Sequence, residues 1–498
     1  MKFMIKRILE KIHTPFWLVL ILAFIFLFRI PTFFEPYHYG DEMIYLSLGE
    51  AVKRGLVLYL NIHDNKPPLL YFVAALAGNV FWFRVILAGW MMFTTIIFAK
   101  LASVLFPKNG LVVKIATFIF AILTTIPLLE GPIPNAELFM IAPIMTAFLI
   151  LLTKKLNALN ILLAGFLFSI SALFKLPAVF DIGAIIFLWV ISIKINHKNV
   201  ISLSRNITIL LAGFSAPILL TIIWYWSRGA LNQYFSAVFL QNIGYLSSWR
   251  PADAAEPFLI RNGPLFVRGG ILLSGLIVLL LFKKKVSKSF LFITAWLLFS
   301  LFAATLSERP YPHYLIQIVP AVSLLFGLLS VAQSVEQSLA TIPLLLVFLT
   351  ILRYQFWYYP TIAYYERFVS FITGRISRQE YLESFNKNVK RNYKIAEFLI
   401  TSSKKTDPIF VWGDSSSIYA LSKRLPPLRF VADYHISDFS SQDEVLMNLK
   451  TGRPKFVIIL PEAPSFPNLL NFLQNGYIPM EDIEGASIWK STNFVVPR

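Results

Sequence analysis

The stretch Tyr37–Leu70, YHYGDEMIYLSLGEAVKRGLVLYLNIHDNKPPLL, sets an adjacent Asp41 and Glu42, the run His63-Asp64-Asn65-Lys66 and two prolines between long apolar segments. Gly40 precedes Asp41, and Ile44, Leu48 and Val52 recur every four residues after it. That spacing predicts a short amphipathic helix with Asp41 at or near its N-cap. Pro67 and Pro68 suit the first turn of a second helix, PPLLYFVAALAGNVFWF (67–83). This segment is aromatic-rich and falls short of the roughly 20 apolar residues that a crossing needs, so it is expected to lie in the membrane interface or to dip in and return.

Outside that loop the chain is apolar. Hydrophobic residues make up 57% of the 498 and charged residues 14%. Apolar runs recur as far as Phe356, many of them near the length of a bilayer crossing, which predicts a polytopic helical membrane protein. The net charge is +18, yet many Lys and Arg fall in short loops between apolar runs, where the positive-inside bias accounts for them. No soluble segment joins a basic stripe to a nucleic-acid motif, so nucleic acid is not an expected partner. The absence of cysteine excludes disulfides, thiol catalysis and thiolate metal sites.

Charge fixes an expected topology. Lys2, Lys6, Arg7 and Lys11 precede the first span, which has no small-residue cleavage site after it and reads as a retained helix with its N-terminus in the cytoplasm. Lys108 and Lys114, Lys154 and Lys155, Lys194, Lys198 and Arg205, and KKKVSK (283–288) mark four further cytoplasmic turns. The expected spans are 15–34, 84–106, 112–129, 136–153, 158–173, 177–193, 207–226, 267–282, 289–306, 312–332 and 340–357, within a range of about 11 to 13 transmembrane helices. The external loops are then 35–66, 128–137, 174–177, 227–266 and 306–314, and they hold almost every unusual polar residue of the membrane part. A transmembrane domain is thus expected over 1–357, with the acidic pair in its first external loop, 35–83. A linker follows over 358–389, with a charged helical stretch near Arg378 to Ile400. Beyond it, DPIFVWGD and PKFVIIL read as buried strands and SSSIYALSKR as a helix, which predicts a small extracytoplasmic α/β domain over 390–498. Neither G-x-G-x-x-G nor a P-loop occurs in it.

The chemistry gathers in the external loops. Two adjacent carboxylates at a membrane surface cost desolvation unless a cation, a metal or a proton donor offsets them. Lys66 at a helix start runs against the macrodipole, which favours anions there; Asp64, Asp41 or a lipid phosphate would explain it. Glu137 opens a span, as an ordinary first-turn acid would, on the same expected side as Asp41 and Glu42; Glu130 is the other acid of its loop. Lys175, Arg309 and His313 end otherwise apolar helices. Snorkelling explains each singly, whereas convergence would make an anion site. Histidines are too few for an imidazole metal site, but a divalent ion on carboxylates, with Asp41 and Glu137 as candidate ligands, fits the composition.

In their order, GDEMIYLSLGEAVKRGLVLY, NKPPLLYF, PNAE, KLP and HYLIQIVPAV resemble the GT-C glycosyltransferases, specifically the dolichyl-phosphate-mannose protein mannosyltransferase and aminoarabinose transferase (ArnT-like) superfamily. The resemblance covers roughly residues 15 to 330 and implies a GT-C membrane fold, a polyprenyl-phosphate sugar as donor, and transfer on the extracytoplasmic face of the cell membrane. It implies Asp41 as the catalytic carboxylate, Glu42 as its neighbour and Glu137 as a second acidic site residue. Lys66, with Lys175, Arg309 and His313, would face the donor phosphate, and Tyr45, His63, Asp64 and Tyr314 would contact substrate. Asn65 stands before Lys66 where some relatives carry an acidic residue. The residue types suit the reaction: a base for the acceptor hydroxyl on one side and positive charge for the departing phosphate on the other, in a single inverting displacement. The expected enzyme is a hexosyl or pentosyl transferase of mannosyltransferase-like type. Its partners are membrane lipids, the lipid-linked sugar, and an acceptor that no motif specifies. A lipid-carrier flippase or an envelope assembly scaffold is the alternative, although transporters place their ionisable residues near the bilayer midplane.

Overall fold

A computed structural model of the chain describes residues 15–194, 196–242, 257–330 and 334–492. The basic flank of Lys2, Lys6, Arg7 and Lys11, and the middle of the expected external segment 227–266, lie outside the described residues. The chain divides into two compact units. One comprises Met1–Ile30, Val85–Trp224 and Leu240–Ile362; the other comprises Pro31–Arg84, Tyr225–Phe239 and Ala363–Arg498. The first external loop therefore shares a unit with the C-terminal part of the chain.

Each of the eleven stretches read as spans is helical over most of its described residues. Among the described residues, six helices are long and apolar enough to cross a membrane: Phe16–Phe34, Val80–Leu105, Ala136–Thr153, His197–Ser227, Gly263–Phe282 and Val335–Tyr354. The other five, Gly110–Leu123, Ala158–Phe174, Leu176–Ser192, Lys288–Ala304 and Val319–Leu329, are shorter but equally apolar. Such helices form because every backbone polar group must be satisfied within the segment where no water reaches it. Gly165 and Gly213 let two of them touch closely: a Cβ at Gly165 would stand 2.1 Å from the Leu210 carbonyl oxygen, and one at Gly213 2.3 Å from that of Leu162. Small residues at helix contacts are the membrane solution to close packing. Deeper in, Asp181 is fully buried and accepts from Trp296 Nε1 and from Gln317 Nε2 at 2.6 Å. The same Gln317 amide donates to the Pro177 carbonyl at 3.0 Å. These bonds tie the 3-10 turn Leu176–Asp181 to the 3-10 turn Pro312–Gln317.

In the second unit, the helix Gly40–Lys53 carries the acidic pair. The sequence predicts an amphipathic helix, but it is buried on all sides from Glu42 to Ala51. The reason is that two helices, Leu69–Ala77 and Ser416–Ser422, pack against it. Gly49 permits the first contact, since a Cβ there would lie 2.6 Å from the Ala75 nitrogen. The stretch expected to lie in the interface resolves into the nine-residue helix Leu69–Ala77, closed by the left-handed Gly78, and the start of the helix Val80–Leu105. At about 1.5 Å per residue the shorter helix is well under a bilayer's thickness.

The C-terminal α/β fold follows from four strands: β1 (Ile409–Trp412), β2 (Phe456–Ile459), β3 (Tyr477–Ile483) and β4 (Ala486–Ser491), in the order β1-β2-β4-β3. β1 and β2 pair in parallel, which requires the helical crossover between them, and β3 and β4 form an antiparallel hairpin on the far side. β1 and β2 are the two apolar runs read from sequence as buried strands. The hairpin lacks that signal because the interior residues of β3 are solvent-exposed. The core beneath the sheet gathers Phe410, Trp412, Leu449, Val457 and Leu473.

Candidate active site

Asp41 does not cap its helix. Tyr39 holds the N-cap position and no side chain closes the helix start; Asp41 sits in the first turn, where the macrodipole favours an anion. Its Oδ2 accepts a hydrogen bond from Tyr45 OH at 2.9 Å, one turn along, and lies 3.4 Å from Lys66 Nζ. The Lys66 ammonium also stands 5.0 Å from the centre of the Tyr45 ring and 3.9 Å from Asp64 Oδ2. Backbone contacts hold Lys66 in place. Tyr59, in the left-handed region, donates its N–H to the Ile62 carbonyl at 2.6 Å and its hydroxyl to the Lys66 carbonyl at 2.8 Å. His63 donates its N–H to the Arg429 carbonyl at 2.7 Å, and Asn65 donates to Asp64 Oδ1 at 2.7 Å. Ser416 donates from its hydroxyl to the Gly40 carbonyl at 3.2 Å, which anchors the start of the acidic helix to the C-terminal domain.

Glu42, one residue on, has a different environment. It is 0% exposed, and the Arg84 guanidinium grips both of its oxygens, at 3.0 and 2.7 Å. Arg84 is itself buried, bonds Glu35 at 2.8 Å and donates to the Thr32 carbonyl at 2.8 Å; Tyr364 donates its hydroxyl to Glu35. By contrast the Asp41 and Lys66 side chains keep 31% and 24% of their exposure. Of the two adjacent carboxylates, Asp41 is therefore the one that a substrate can reach.

The C-terminal domain adds charged groups that no local motif marks. Burial, followed by the nearby Asp433, Glu462 and Asp41, pushes the Asp414 carboxyl above its ordinary range. Burial pulls the His435 imidazole below its usual value, against the opposing pull of Asp64. His435 Nε2 lies 3.7 Å from Asp64 Oδ1, and the buried His63 ring packs edge-on against Phe430 and Phe439.

Glu137, Lys175, His313 and Tyr314 come together in the other unit. Glu137, buried in the first turn of Ala136–Thr153, is paired with Lys175 Nζ and lies 3.8 Å from His313 Nε2. His313 Nδ1 meets Glu130 Oε2 at 2.5 Å, and Asn135 donates to the same oxygen at 2.9 Å. Lys175 Nζ sits 3.6 Å from the centre of the Tyr314 ring, within cation–π range. Glu130, which the sequence shows only as a second acid in its loop, is thus a member of this cluster; its left-handed backbone before Gly131 is the local trace of the turn that brings it in. Arg309 is exposed, with its backbone N–H on the Ser307 hydroxyl at 3.4 Å.

Among the described residues no three His, Asp or Glu side chains are grouped to hold a metal ion. An ammonium stands beside each candidate ligand, Lys66 at Asp41 and Lys175 at Glu137.

Comparison with solved structures identifies the fold. ArnT from Cupriavidus metallidurans bound to undecaprenyl phosphate aligns with a TM-score of 0.54 at 12% identity, over 95% of this chain and 97% of that one. Its apo state aligns with a TM-score of 0.55 at the same identity and coverage. The archaeal oligosaccharyltransferase AglB from Archaeoglobus fulgidus, in complex with an inhibitory peptide and a dolichol-phosphate, aligns with a TM-score of 0.46 at 12% identity, over 98% of this chain and 75% of that one. The chain thus shares the fold of these ArnT structures, as its motif order implies: mainly helical, with a small C-terminal α/β part. Residues 388–485 match the family model of the competence-induced protein Ccs4 C-terminal domain. No curated protein matches the chain in sequence.

Proposed function

We propose that the protein is a membrane glycosyltransferase that moves a sugar from a polyprenyl-phosphate-linked donor to an acceptor hydroxyl on the extracytoplasmic face, by a single inverting displacement. The observation that carries this reading is the Asp41–Lys66 pair, a partly exposed carboxylate and ammonium 3.4 Å apart, beside the buried carboxylates of Glu42 and Asp64. A carboxylate in reach of solvent can take the proton of an attacking hydroxyl, and an ammonium can neutralise the phosphate as it leaves. Because a phosphate leaves as a stabilised anion, no protonated carboxylic acid is needed on that side. Without substrate, the two groups neutralise each other. Further support comes from the fold, shared with an ArnT structure that holds undecaprenyl phosphate.

In this reading Asp41 is the base, Lys66 contacts the phosphate and Tyr45 orients Asp41. Glu42 serves the buried ion pair and does no chemistry. Lys175, Arg309 and His313 are expected to favour anionic groups, with Glu137 and Glu130 holding Lys175 and His313 in place. The test is transfer from a polyprenyl-phosphate sugar by purified protein. Asp41→Asn, nearly isosteric and unable to act as a base, should lower kcat by at least about a hundredfold, the usual contribution of general base catalysis. It should do so with an unchanged elution profile and unfolding temperature. Wild-type rates in that variant would remove Asp41 from the chemistry.

A further inference from the structure

Besides Asp414 and Ser416, the C-terminal domain brings His435 toward the Asp41–Lys66 pair. His435 lies buried on the helix Asp433–Phe439, with its ring against Tyr434, Phe439 and His63 at centroid distances of 4.4, 5.9 and 6.1 Å. Its Nε2 is 3.7 Å from Asp64 Oδ1, too long for a hydrogen bond but well within ion-pair range. Asp64 is almost wholly buried and has two differently engaged oxygens. Oδ1 accepts the Asn65 N–H at 2.7 Å and faces His435, while Oδ2 faces Lys66 Nζ at 3.9 Å. Lys66 continues the line to Asp41 at 3.4 Å. His435, Asp64, Lys66 and Asp41 therefore form one row, the first member from the C-terminal domain and the others from the first loop.

A buried carboxylate needs compensating charge, and which of its oxygens receives it depends on what fills the space beside the other. A lysine ammonium is a point charge on a flexible four-carbon stem, so Lys66 stays beside Asp41 only if something else fixes it. We propose that His435 is a positioning residue for Lys66. By packing against one oxygen of Asp64 it keeps the other turned toward the ammonium, and so holds Lys66 next to Asp41. The proposal rests on the reading of Asp41 and Lys66 as the reacting pair, and it makes the C-terminal domain part of the site's support. The charged groups facing His435 are Asp64, Lys66, Asp41, Asp438 and Asp433, with the His63 ring packed on its side. Protonation of His435 in acid would make it a second cation on Asp64, in competition with Lys66.

The test uses the full-length protein in detergent and needs no donor. The reaction of Lys66 with an amine-directed reagent at pH 8 is followed by peptide mass spectrometry in wild type, His435→Ala, His435→Gln and Asp64→Asn, with the partly exposed Lys390 as internal reference. His435→Ala and Asp64→Asn should each label Lys66 roughly fivefold faster, while His435→Gln, which keeps a side-chain N–H at similar reach, stays within about twofold of wild type. In turnover, His435→Ala should raise the KM for the lipid-linked donor by about fivefold with kcat nearly unchanged, and His435→Gln should restore it. Unchanged Lys66 labelling in His435→Ala and Asp64→Asn overturns the proposal. So does acceleration that His435→Gln or Lys390 shares, which would mean general loosening. If His435→Ala does not fold, Asp64→Asn decides the matter from the other side of the same link. The expected labelling pattern in a protein whose Asp41→Asn variant stays active would leave the positioning intact and overturn the functional reading instead.

Discussion

Asp41 and Glu42 are chemically alike and adjacent, and their roles part because a helix turns about a quarter of a circle between them. One stays in reach of solvent beside Lys66; the other meets Arg84 in a dry interior. The distinction can be measured. Glu42→Gln leaves the buried Arg84 with less compensation and should destabilise the second unit by about 3 kcal/mol, as broken buried pairs do. The loss should appear as earlier thermal unfolding, with the activity per folded molecule retained; a stable but inactive Glu42→Gln would make Glu42 a reacting group. The lysines permit a second expectation. Since an ammonium already compensates each of Asp41 and Glu137, EDTA should change the transfer rate by less than about twofold. A rate lost to EDTA and restored by Mg²⁺ or Mn²⁺ would show that the carboxylates rearrange around an ion.

At the scale of the element, the helix Gly40–Lys53 matters for what it is pressed against. Gly49 brings it onto the backbone of the helix Leu69–Ala77, where a Cβ would meet Ala75 N at 2.6 Å and the Ala74 carbonyl carbon at 2.7 Å. Backbone cannot swing aside as a side chain can, so Gly49→Ala should cost about 1–3 kcal/mol and push the acidic helix away from the loop that bears Lys66. Gly40→Ala is the matched control, because nothing lies within 4 Å of a Cβ there. Unfolding temperature and transfer rate should both fall in Gly49→Ala and stay near wild type in Gly40→Ala. The position and length of this helix are legible in the sequence, from the glycine, the acids and the four-residue spacing. Its burial on every side is not, since the helix Ser416–Ser422 that covers it lies more than 360 residues further along the chain.

For the molecule as a whole, the second unit joins segments from three distant parts of the chain, and its stability should follow pH through a group at their junction. Burial, with Arg84 nearby, depresses the His38 imidazole to about 4 from an ordinary 6.5. Between those values the unfolded chain binds a proton that the folded one refuses, so stability rises with pH across the window and is lost as pH falls from about 6.5 toward 4. The loss is about 3 kcal/mol at most. Thermal unfolding in detergent from pH 7 to pH 4 should show it, and His38→Asn should flatten the dependence. An equal acid loss in that variant would assign the effect to other groups.

The sequence by itself determined that the chain is a helical membrane protein, where its apolar helices lie, that an α/β part follows them, and that Asp41 and Lys66 are residues to examine. These properties are carried by neighbouring residues, in run length, periodicity and charge between runs. The tertiary structure alone decided the pairings: Glu42 with Arg84, Glu130 with His313, Asp64 with His435. Each joins residues between 42 and 371 positions apart, and each depends on which faces the packing buries. A carboxylate's chemistry is set by what lies beside it in space, and no local pattern encodes that.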